Sequence, residues 1–164
     1  MAVTIHTTHG DLKCELYCEG APKTCKNFLA LAAKGYYNAT LFHRNIKGFI
    51  IQGGDATGTG KGGECIYGKN FEDEISDQLK HSKRGIISMA NMGPNTNQSQ
   101  FFITYGPQLT LDGKYTIFGH VIDGFDTLER LENEPVGKQH KPLNSVAIKY
   151  ITIHANPIAD QESS

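Results

Sequence analysis

Short apolar segments separated by turn-forming residues restrict the fold of this chain more than any other feature of its sequence. Each segment has only a few residues and is bounded by Gly, Pro, Asn or Asp. Runs of this length are too short for typical helices, so they predict β-strands. The predicted strands cover residues 41–42, 49–51, 86–90, 101–103 and 115–118.

The two ends of the chain add further strands. Residues 3–6 and 12–16 alternate apolar and polar side chains on either side of the turn sequence His9-Gly10-Asp11. This pattern predicts an opening β-hairpin. A last strand is predicted near residues 146–154.

Two helices are predicted among the strands. Pro22 suits the first position of a helix, where its missing N–H would have no partner, and Gly35 offers a left-handed stop. The apolar residues at 25, 28, 29 and 32 then share one buried face. A second helix is predicted over 125–132, where the apolar residues at 125, 128 and 131 share a face.

Many short strands with two helices predict a mainly β chain, a closed antiparallel barrel capped at its ends by the helices. The 164 residues fit one domain, which we place at 1–157, followed by a loose tail at 158–164. The irregular stretch from Gly53 to about Lys69 is expected to be functional, because loops of that length are uncommon inside compact domains.

The charge balance argues against two classes of partner. The formal net charge is −1 at pH 7, so no strong field favours nucleic acid or anionic membrane. No apolar run reaches transmembrane length, and the first residues lack the basic stretch and apolar core of a secretory signal. We therefore expect an intracellular monomer, in the cytoplasm, the nucleus or both, that binds neither nucleic acid directly nor membrane.

Metal and nucleotide chemistry find little support. The 4 cysteines form no Cys-x-x-Cys pair and are expected as free thiols, and the 7 histidines lack metal-ligand spacing, so we expect no metal and no cofactor. Residues 58–63 match G-x-G-x-x-G, but a dinucleotide site needs a helix after this motif, and residues 64–68 do not predict one. We interpret the motif as a glycine-rich loop. No G-x-S-x-G nucleophile elbow is present either.

Two longer segments are more informative. The first joins Phe42-His43-Arg44 to the sequence GFIIQGGD at 48–55, and the second is SMANMGPNTNQSQFFI at 88–103. Both closely resemble the signature segments of cyclophilins, and the resemblance covers most of the chain, including LDGK at 111–114. The compact loops, Tyr115 and the sequence ITIHANP at 151–157 are most similar to the small spliceosome-associated, type-three cyclophilin-like branch.

The resemblance implies an eight-stranded barrel with two capping helices, and cis–trans isomerisation of X–Pro bonds on one outer face without metal or cofactor. It implies catalytic roles for Arg44, Phe49, Gln52, Asn91 and Phe102. It implies substrate contacts for Ile50, Ala90, Gln100, Leu111, Tyr115, Met92, Gln98 and Lys61.

Several positions differ from the best-known cyclophilins. Thr110 stands where they carry tryptophan, Tyr115 where they carry histidine, and Gln98 where they carry glycine. Lys61 and Lys69 replace a threonine and a glutamate, and both are expected at the rim of a pocket next to the proline site.

The residue types suit the implied chemistry. An unaided X–Pro bond isomerises over tens to hundreds of seconds, because amide resonance resists twisting. In the twisted transition state the nitrogen regains its lone pair, and a fixed guanidinium stabilises that state selectively. We expect Arg44 to supply this cation, with Gln52 holding it in place. We expect Asn91 to offer its backbone to the peptide as a strand-like partner.

The proline ring needs an apolar pocket, which Phe49, Ile50, Phe102 and Leu111 can supply with Tyr115 at its edge. For Phe49 and Phe102 taken singly, a place in the barrel core is the alternative interpretation. His43 is interpreted as a structural partner rather than an acid or base.

Two functions remain open at this point. Arg44 and Gln52 favour an active peptidyl-prolyl isomerase that assists folding or assembly, with the spliceosome as a candidate setting. Thr110 and Tyr115 leave open a proline-peptide-binding adaptor of a ribonucleoprotein complex with residual isomerase activity. The expected partners are proline-containing segments, spliceosomal proteins and, weakly, cyclosporin-type macrocycles.

Overall fold

The computed structural model describes residues 1–154, so the predicted tail at 158–164 lies outside the described residues. The strands are Ala2–Thr7 (β1), Gly10–Leu16 (β2), Thr40–Leu41 (β3), Arg44–Ile46 (β4), Ile50–Gly53 (β5), Ile86–Met89 (β6), Phe101–Thr104 (β7), Ile117–Asp123 (β8) and Ala147–Ile153 (β9). The α-helices are Pro22–Ala33 (α1) and Phe125–Glu132 (α2), and short 3₁₀ helices cover Leu109–Leu111 and Lys138–His140.

The strands form one sheet in the order β3-β9-β1-β2-β8-β6-β7-β5-β4, with antiparallel pairing throughout. The two ends of this order, β3 and β4, are consecutive in the chain and separated only by Phe42 and His43. Leu41 also forms an isolated bridge with Asp55, which is separated from the end of β5 by Gly54. The sheet therefore curls until its two ends meet.

Glycine is required where the barrel closes. A Cβ atom on Gly53 would lie 2.8 Å from Cδ1 of Phe42 and 2.9 Å from the carbonyl oxygen of Leu41. These contacts are too short for any side chain, so residue 53 must be glycine for β5 to approach β3 this closely. The prediction of a mainly β barrel with two helices is confirmed. The strand count is nine rather than eight because the strand over residues 40–46 is interrupted at Phe42 and His43.

Strand β4 is the element that the apolar pattern did not predict. Its central residue, Asn45, is polar but buried, and its side chain is fully engaged. The Asn45 amide nitrogen donates to the carbonyl oxygen of Leu131 (2.7 Å), and its oxygen accepts from the Tyr105 hydroxyl (2.6 Å). Because tertiary partners satisfy this buried polar group, the strand needs no apolar side chain there.

The helices cover the barrel and complete its core. In α1, Phe28 packs edge-to-face on Phe101, with ring centroids 5.6 Å apart. The buried face of α1 includes Leu31, whereas Leu29, predicted on that face, is only partly buried. The bounds of α2 agree with the prediction. The longest helix among residues 1–154 has 12 residues, and none in this range is long and apolar enough to cross a bilayer.

Candidate active site

Four residues from four strands form one row across the sheet. Arg44 on β4 is paired with Gln52 on β5, Gln52 with Phe102 on β7, and Phe102 with Ser88 on β6. Directly paired residues point to the same side of a sheet, so these side chains share one face. Along the row, exposure falls from the exposed Arg44 through the partly exposed Gln52 to the buried Phe102 and Ser88.

This face is opposite to the barrel core. Because neighbouring residues of a strand alternate sides, Phe101 packs in the core and Phe102 faces outward. Phe102 is only 2% exposed, yet it lies outside the contiguous core cluster, as do the buried Ile50, Ile86 and Ile117. The alternative that Phe102 is an ordinary core residue is therefore wrong.

Aromatic contacts define the surroundings of Phe102. Tyr115 meets its ring edge-to-face with centroids 5.5 Å apart, and His81 stacks on it at 5.9 Å. Ile50 is diagonal to Phe102 in the β5–β7 ladder. These residues form an apolar cluster on the same face as Arg44, and Tyr115, predicted at the edge of the pocket, contacts the ring of Phe102.

The remaining predicted pocket residues flank this apolar site. Leu111 ends the 3₁₀ helix that precedes Asp112 and is partly buried. Phe49 is partly exposed directly before β5, where its carbonyl oxygen accepts from the Tyr105 N–H (2.8 Å). Phe49 directly precedes Ile50 in the chain, and Leu111 precedes Asp112, the hydrogen-bond partner of His81, and neither residue belongs to the barrel core.

The Arg44 guanidinium is free to face a ligand. None of the ion pairs found among residues 1–154 includes Arg44. The expected hydrogen bond from Gln52 to Arg44 is also not formed. Instead, Gln52 Nε2 donates to Gln100 Oε1 (3.0 Å), and Gln100 Nε2 donates to the carbonyl oxygens of Gly60 (3.0 Å) and Gly62 (2.7 Å). Gln52 therefore connects the row to the glycine-rich loop.

A cleft of about 190 Å³ adjoins the row on the side of Gln52. It brings together many of the predicted site residues, which are Gln52, Lys61, Ala90, Asn91, Met92, Gln98 and Gln100. Sequence reasoning missed Asn70 and Thr96 in its wall, and it placed Lys69 where the structure has Asn70. The amide of Gln98 donates to Asn70 Oδ1 across this wall.

Asn91 is the residue whose backbone we expect to pair with a bound peptide. It lies beyond the end of β6, and its main-chain N–H and C=O make no backbone hydrogen bonds within residues 1–154. Its side-chain nitrogen donates to the carbonyl oxygen of Lys114 (3.1 Å), and its side-chain oxygen accepts from the Gly93 N–H (3.1 Å). The side chain fixes the segment, and the backbone is left for an extended peptide.

The glycine-rich loop is wrapped around a carboxylate of its own chain. Asp55 is fully buried and accepts from the backbone N–H groups of Thr57 (2.9 Å), Gly60 (2.8 Å) and Gly62 (3.0 Å). Burial alone would raise the pKa of Asp55, but the hydrogen bond from the Thr57 hydroxyl (2.8 Å), together with these backbone N–H groups, outweighs it and holds the pKa below its usual value. Three N–H groups of the loop therefore point at Asp55 rather than at a phosphate, which argues against a dinucleotide site here.

His43 supports the same loop. Its ring packs on Gly60, where an added Cβ would lie only 2.9 Å from the ring. Burial lowers the pKa of His43, the charge of Asp55 opposes this shift, and Arg44 adds to it. This packing fits the structural role predicted for His43.

An antiparallel barrel that carries on its outer face an apolar site, an exposed arginine and a strand end, the last two without partners among residues 1–154, has the features of a protein that binds an extended peptide segment. The chain belongs to the cyclophilin-type peptidyl-prolyl cis–trans isomerases. The family model "Cyclophilin type peptidyl-prolyl cis-trans isomerase/CLD" matches residues 2–153.

Similar proteins are known from distant eukaryotes. Peptidyl-prolyl cis-trans isomerase-like 3 of Gallus gallus is 67% identical over 160 residues, covering 97% of this chain and 99% of the relative. The Homo sapiens protein of the same name is 65% identical with the same coverage. A solved Cryptosporidium parvum cyclophilin-type isomerase, crystallised in the presence of the dipeptide Ala-Pro, has a TM-score of 0.93 and 61% identity, covering 95% of this chain and 100% of its own.

Proposed function

We propose that the Arg44–Gln52–Phe102 row is the catalytic face on which this isomerase rotates X–Pro bonds of extended protein segments. The observation that carries the proposal is the pairing of a free, exposed guanidinium with a buried, outward-facing phenyl ring two strands away in one cross-sheet row. The cation can face the prolyl nitrogen while the apolar site holds the proline ring.

In this proposal the proline ring sits against Phe102, with Ile50, Leu111 and Tyr115 around it. The preceding residues run along Asn91 as an added strand and reach the cleft lined by Lys61 and Gln98. This arrangement holds the two sides of the X–Pro bond separately, so the bond can twist between them.

Arg44 acts on the transition state rather than on the planar amide. As the bond twists, the prolyl nitrogen loses conjugation and gains a lone pair, which a guanidinium N–H can stabilise. Since the planar form offers no such lone pair, the interaction is selective and lowers the barrier. The guanidinium is always protonated and needs no proton transfer, so no nucleophile or general base is required.

A protease-coupled assay on a proline peptide tests this assignment. We expect Arg44→Ala to lose one to several decades of kcat/KM, each decade corresponding to about 1.4 kcal/mol. Arg130→Ala is the matched control, because Arg130 is a 53% exposed arginine on α2, away from the row. Unchanged turnover in a folded Arg44→Ala protein contradicts the proposal.

We propose in addition that the physiological segments are presented by spliceosomal proteins inside the cell, in the nucleus or cytoplasm. The support is the similarity of the compact loops, Tyr115 and residues 151–157 to the small spliceosome-associated branch. We expect the immobilised chain to recover spliceosomal proteins from a nuclear extract, and an extract depleted of these proteins is the negative control. If the wild-type chain captures no spliceosomal protein from the complete extract, the proposal is contradicted.

A further inference from the structure

A buried Asp–His–Ser chain lies directly behind the proposed proline site. His81 is fully buried, and its Nδ1 lies 2.8 Å from Asp112 Oδ1 while its Nε2 lies 3.0 Å from Ser88 Oγ. An ionised carboxylate only accepts hydrogen bonds, so Nδ1 carries a hydrogen and donates to Asp112. Nε2 of the neutral ring is then an acceptor, and the single hydrogen of the Ser88 hydroxyl is shared between this nitrogen and the carbonyl oxygen of Thr116. Neither His81 nor Ser88 was singled out by the sequence for this role.

The Asp–His–Ser order is that of a hydrolase triad, but here the serine hydroxyl cannot be reached by a substrate. Ser88 has no exposed surface, and its hydroxyl also lies 3.1 Å from the carbonyl oxygen of Thr116. A nucleophile must reach a substrate carbonyl, and Ser88 is covered by the pocket residues in front of it. The chain of hydrogen bonds therefore needs an explanation other than covalent catalysis.

The two ends of this hydrogen-bond chain, Ser88 and Asp112, lie beside two different residues of the proposed pocket. Ser88 is paired with Phe102 across the β6–β7 ladder, and Asp112 directly follows Leu111. The His81 ring itself stacks on Phe102 at 5.9 Å with an interplanar angle of 18°. The buried His81 side chain thus contacts Phe102, is hydrogen-bonded to β6 through Ser88 and is hydrogen-bonded to Asp112, the residue that follows Leu111.

The main chain of His81 holds the same 3₁₀ helix at both ends. The Gln108 N–H donates to the His81 carbonyl oxygen (2.8 Å), and the His81 N–H donates to Asp112 Oδ1 (2.6 Å). The contact with Gln108 does not depend on the side chain at 81. The ring can therefore be replaced while the helix stays attached, which makes the role of the ring testable.

We infer that His81 is a positioning residue for the isomerase: its ring locks the Leu109–Leu111 helix to β6 and supports Phe102 from behind, fixing the proline site relative to Arg44. This inference rests on the proposed catalytic face. It assigns to His81 and Asp112 an effect on the isomerisation rate that passes through Phe102 and Leu111, without contact between either residue and the substrate.

The electrostatics favour a neutral ring in this role. Burial lowers the pKa of His81, and the hydrogen bond and charge of Asp112 oppose this shift only in part. The charged group facing His81 is Asp112, and Lys80 acts on that carboxylate from the neighbouring position. A neutral ring accepts from Ser88 and keeps the pocket wall uncharged.

The test uses substitutions that remove the hydrogen bonds without removing the fold. His81→Phe keeps a ring behind Phe102 but loses both side-chain hydrogen bonds, and Asp112→Ala removes the acceptor. Displacements of about 1 Å at remote positions can cost up to about a hundredfold in rate, so we expect each variant to lose about tenfold in kcat/KM. Asp112→Asn keeps an acceptor oxygen and should retain most of the activity.

Three comparisons separate positioning from mere stability. Ile148→Val, a fully buried change on β9, is the control for stability loss and should keep full activity. The double variant His81→Phe/Asp112→Ala should lose no more than either single variant, because both break one chain. The NMR signals of the Phe102 and Tyr115 rings should shift or broaden in both single variants.

The inference would be overturned if kcat/KM in all variants fell only in proportion to the loss of stability. It would also be overturned if the losses of kcat/KM in the two single variants multiplied in the double variant. If Arg44→Ala is inactive in the same assay while the His81 and Asp112 variants keep full activity, the catalytic face stands and the positioning role fails. If Arg44→Ala is fully active, the catalytic face is misassigned and the inference fails with it.

Discussion

Gln52 lies directly opposite Arg44 in the β4–β5 ladder, yet its amide donates to Gln100 and not to the guanidinium. Among residues 1–154 the Arg44 side chain has no ion-pair or hydrogen-bond partner, while Gln52 is bonded to the glycine-rich loop through Gln100. In a binding site for a neutral peptide, this leaves the Arg44 donors for the prolyl nitrogen as it pyramidalises.

Phe102→Ala should weaken peptide binding and turnover together. Removing a buried phenylalanine costs about 3–5 kcal/mol in a core, and here the lost ring is also the floor of the proline site. Isothermal titration of a proline peptide and the protease-coupled assay measure the two effects. Phe118→Leu, a change in the barrel core on the other side of the sheet, serves as the control.

The same Phe102→Ala protein separates an enzyme from an adaptor. An adaptor that binds partners on another face keeps its partners in a pull-down although catalysis is lost. If partner binding and catalysis disappear together in a folded protein, the catalytic face is itself the surface that partners recognise.

Lys61 should give a modest preference for acidic residues one or two positions before the proline. Its exposed side chain lines the cleft, and exposed ion pairs contribute about 0–1 kcal/mol, so the preference should stay within about fivefold and fade with salt. Lys61→Glu should reverse the preference. Lys69→Glu is the matched control, because Lys69 does not line the cleft. Equal rates for acidic and basic peptides at low salt contradict the prediction.

Cyclosporin-type macrocycles should bind this chain more weakly than the best-known cyclophilins. Thr110 is exposed in the 3₁₀ helix, at the position where the best-known cyclophilins carry tryptophan. Threonine offers neither the contact area nor the N–H donor of that tryptophan. Loss of an aromatic anchor typically costs at least about 2 kcal/mol at an interface. Calorimetric titration should show a tighter complex for Thr110→Trp with little change in turnover. Tight binding by the wild type with no gain in the variant would rule this out.

Stability should fall as the pH drops below about 6.5. Burial lowers the pKa of His81, so the unfolded chain takes up its proton at a higher pH than the folded chain. The corresponding stability is present above about pH 6.5 and is lost as the pH falls through the lowered folded-state pKa. Urea unfolding across this range should show a smaller pH slope for His81→Phe. Ile148→Val, which removes no titrating group, should keep the wild-type slope, and equal slopes in all three proteins would contradict the prediction.

Local pattern was sufficient for much of the fold. The opening hairpin, the start of α1 at Pro22 and the bounds of α2 depend on neighbouring residues, and the structure contains all three. The hairpin turn itself lies at Thr8-His9 rather than at His9-Gly10-Asp11, because Gly10 and Asp11 already pair with Thr7 and His6 in the β1–β2 ladder. Strand β4 was missed because its buried Asn45 is satisfied by Leu131 and Tyr105, which are distant in sequence. Strand β8 begins at Ile117 rather than at residue 115, and Tyr115, which lies before the strand, packs edge-to-face on Phe102.

The sequence by itself determined the family, the two helices, the opening hairpin and the residue types of an isomerase, because these are carried by short motifs and local periodicity. Only the tertiary structure decided that Phe102 faces outward while Phe101 fills the core, that Asp55 occupies the glycine-rich loop, and that Asp112, His81 and Ser88 form one buried chain. These relationships depend on strand register and on the closure of the barrel at Gly53. Both bring together groups that are far apart in the chain, and no local pattern encodes such contacts.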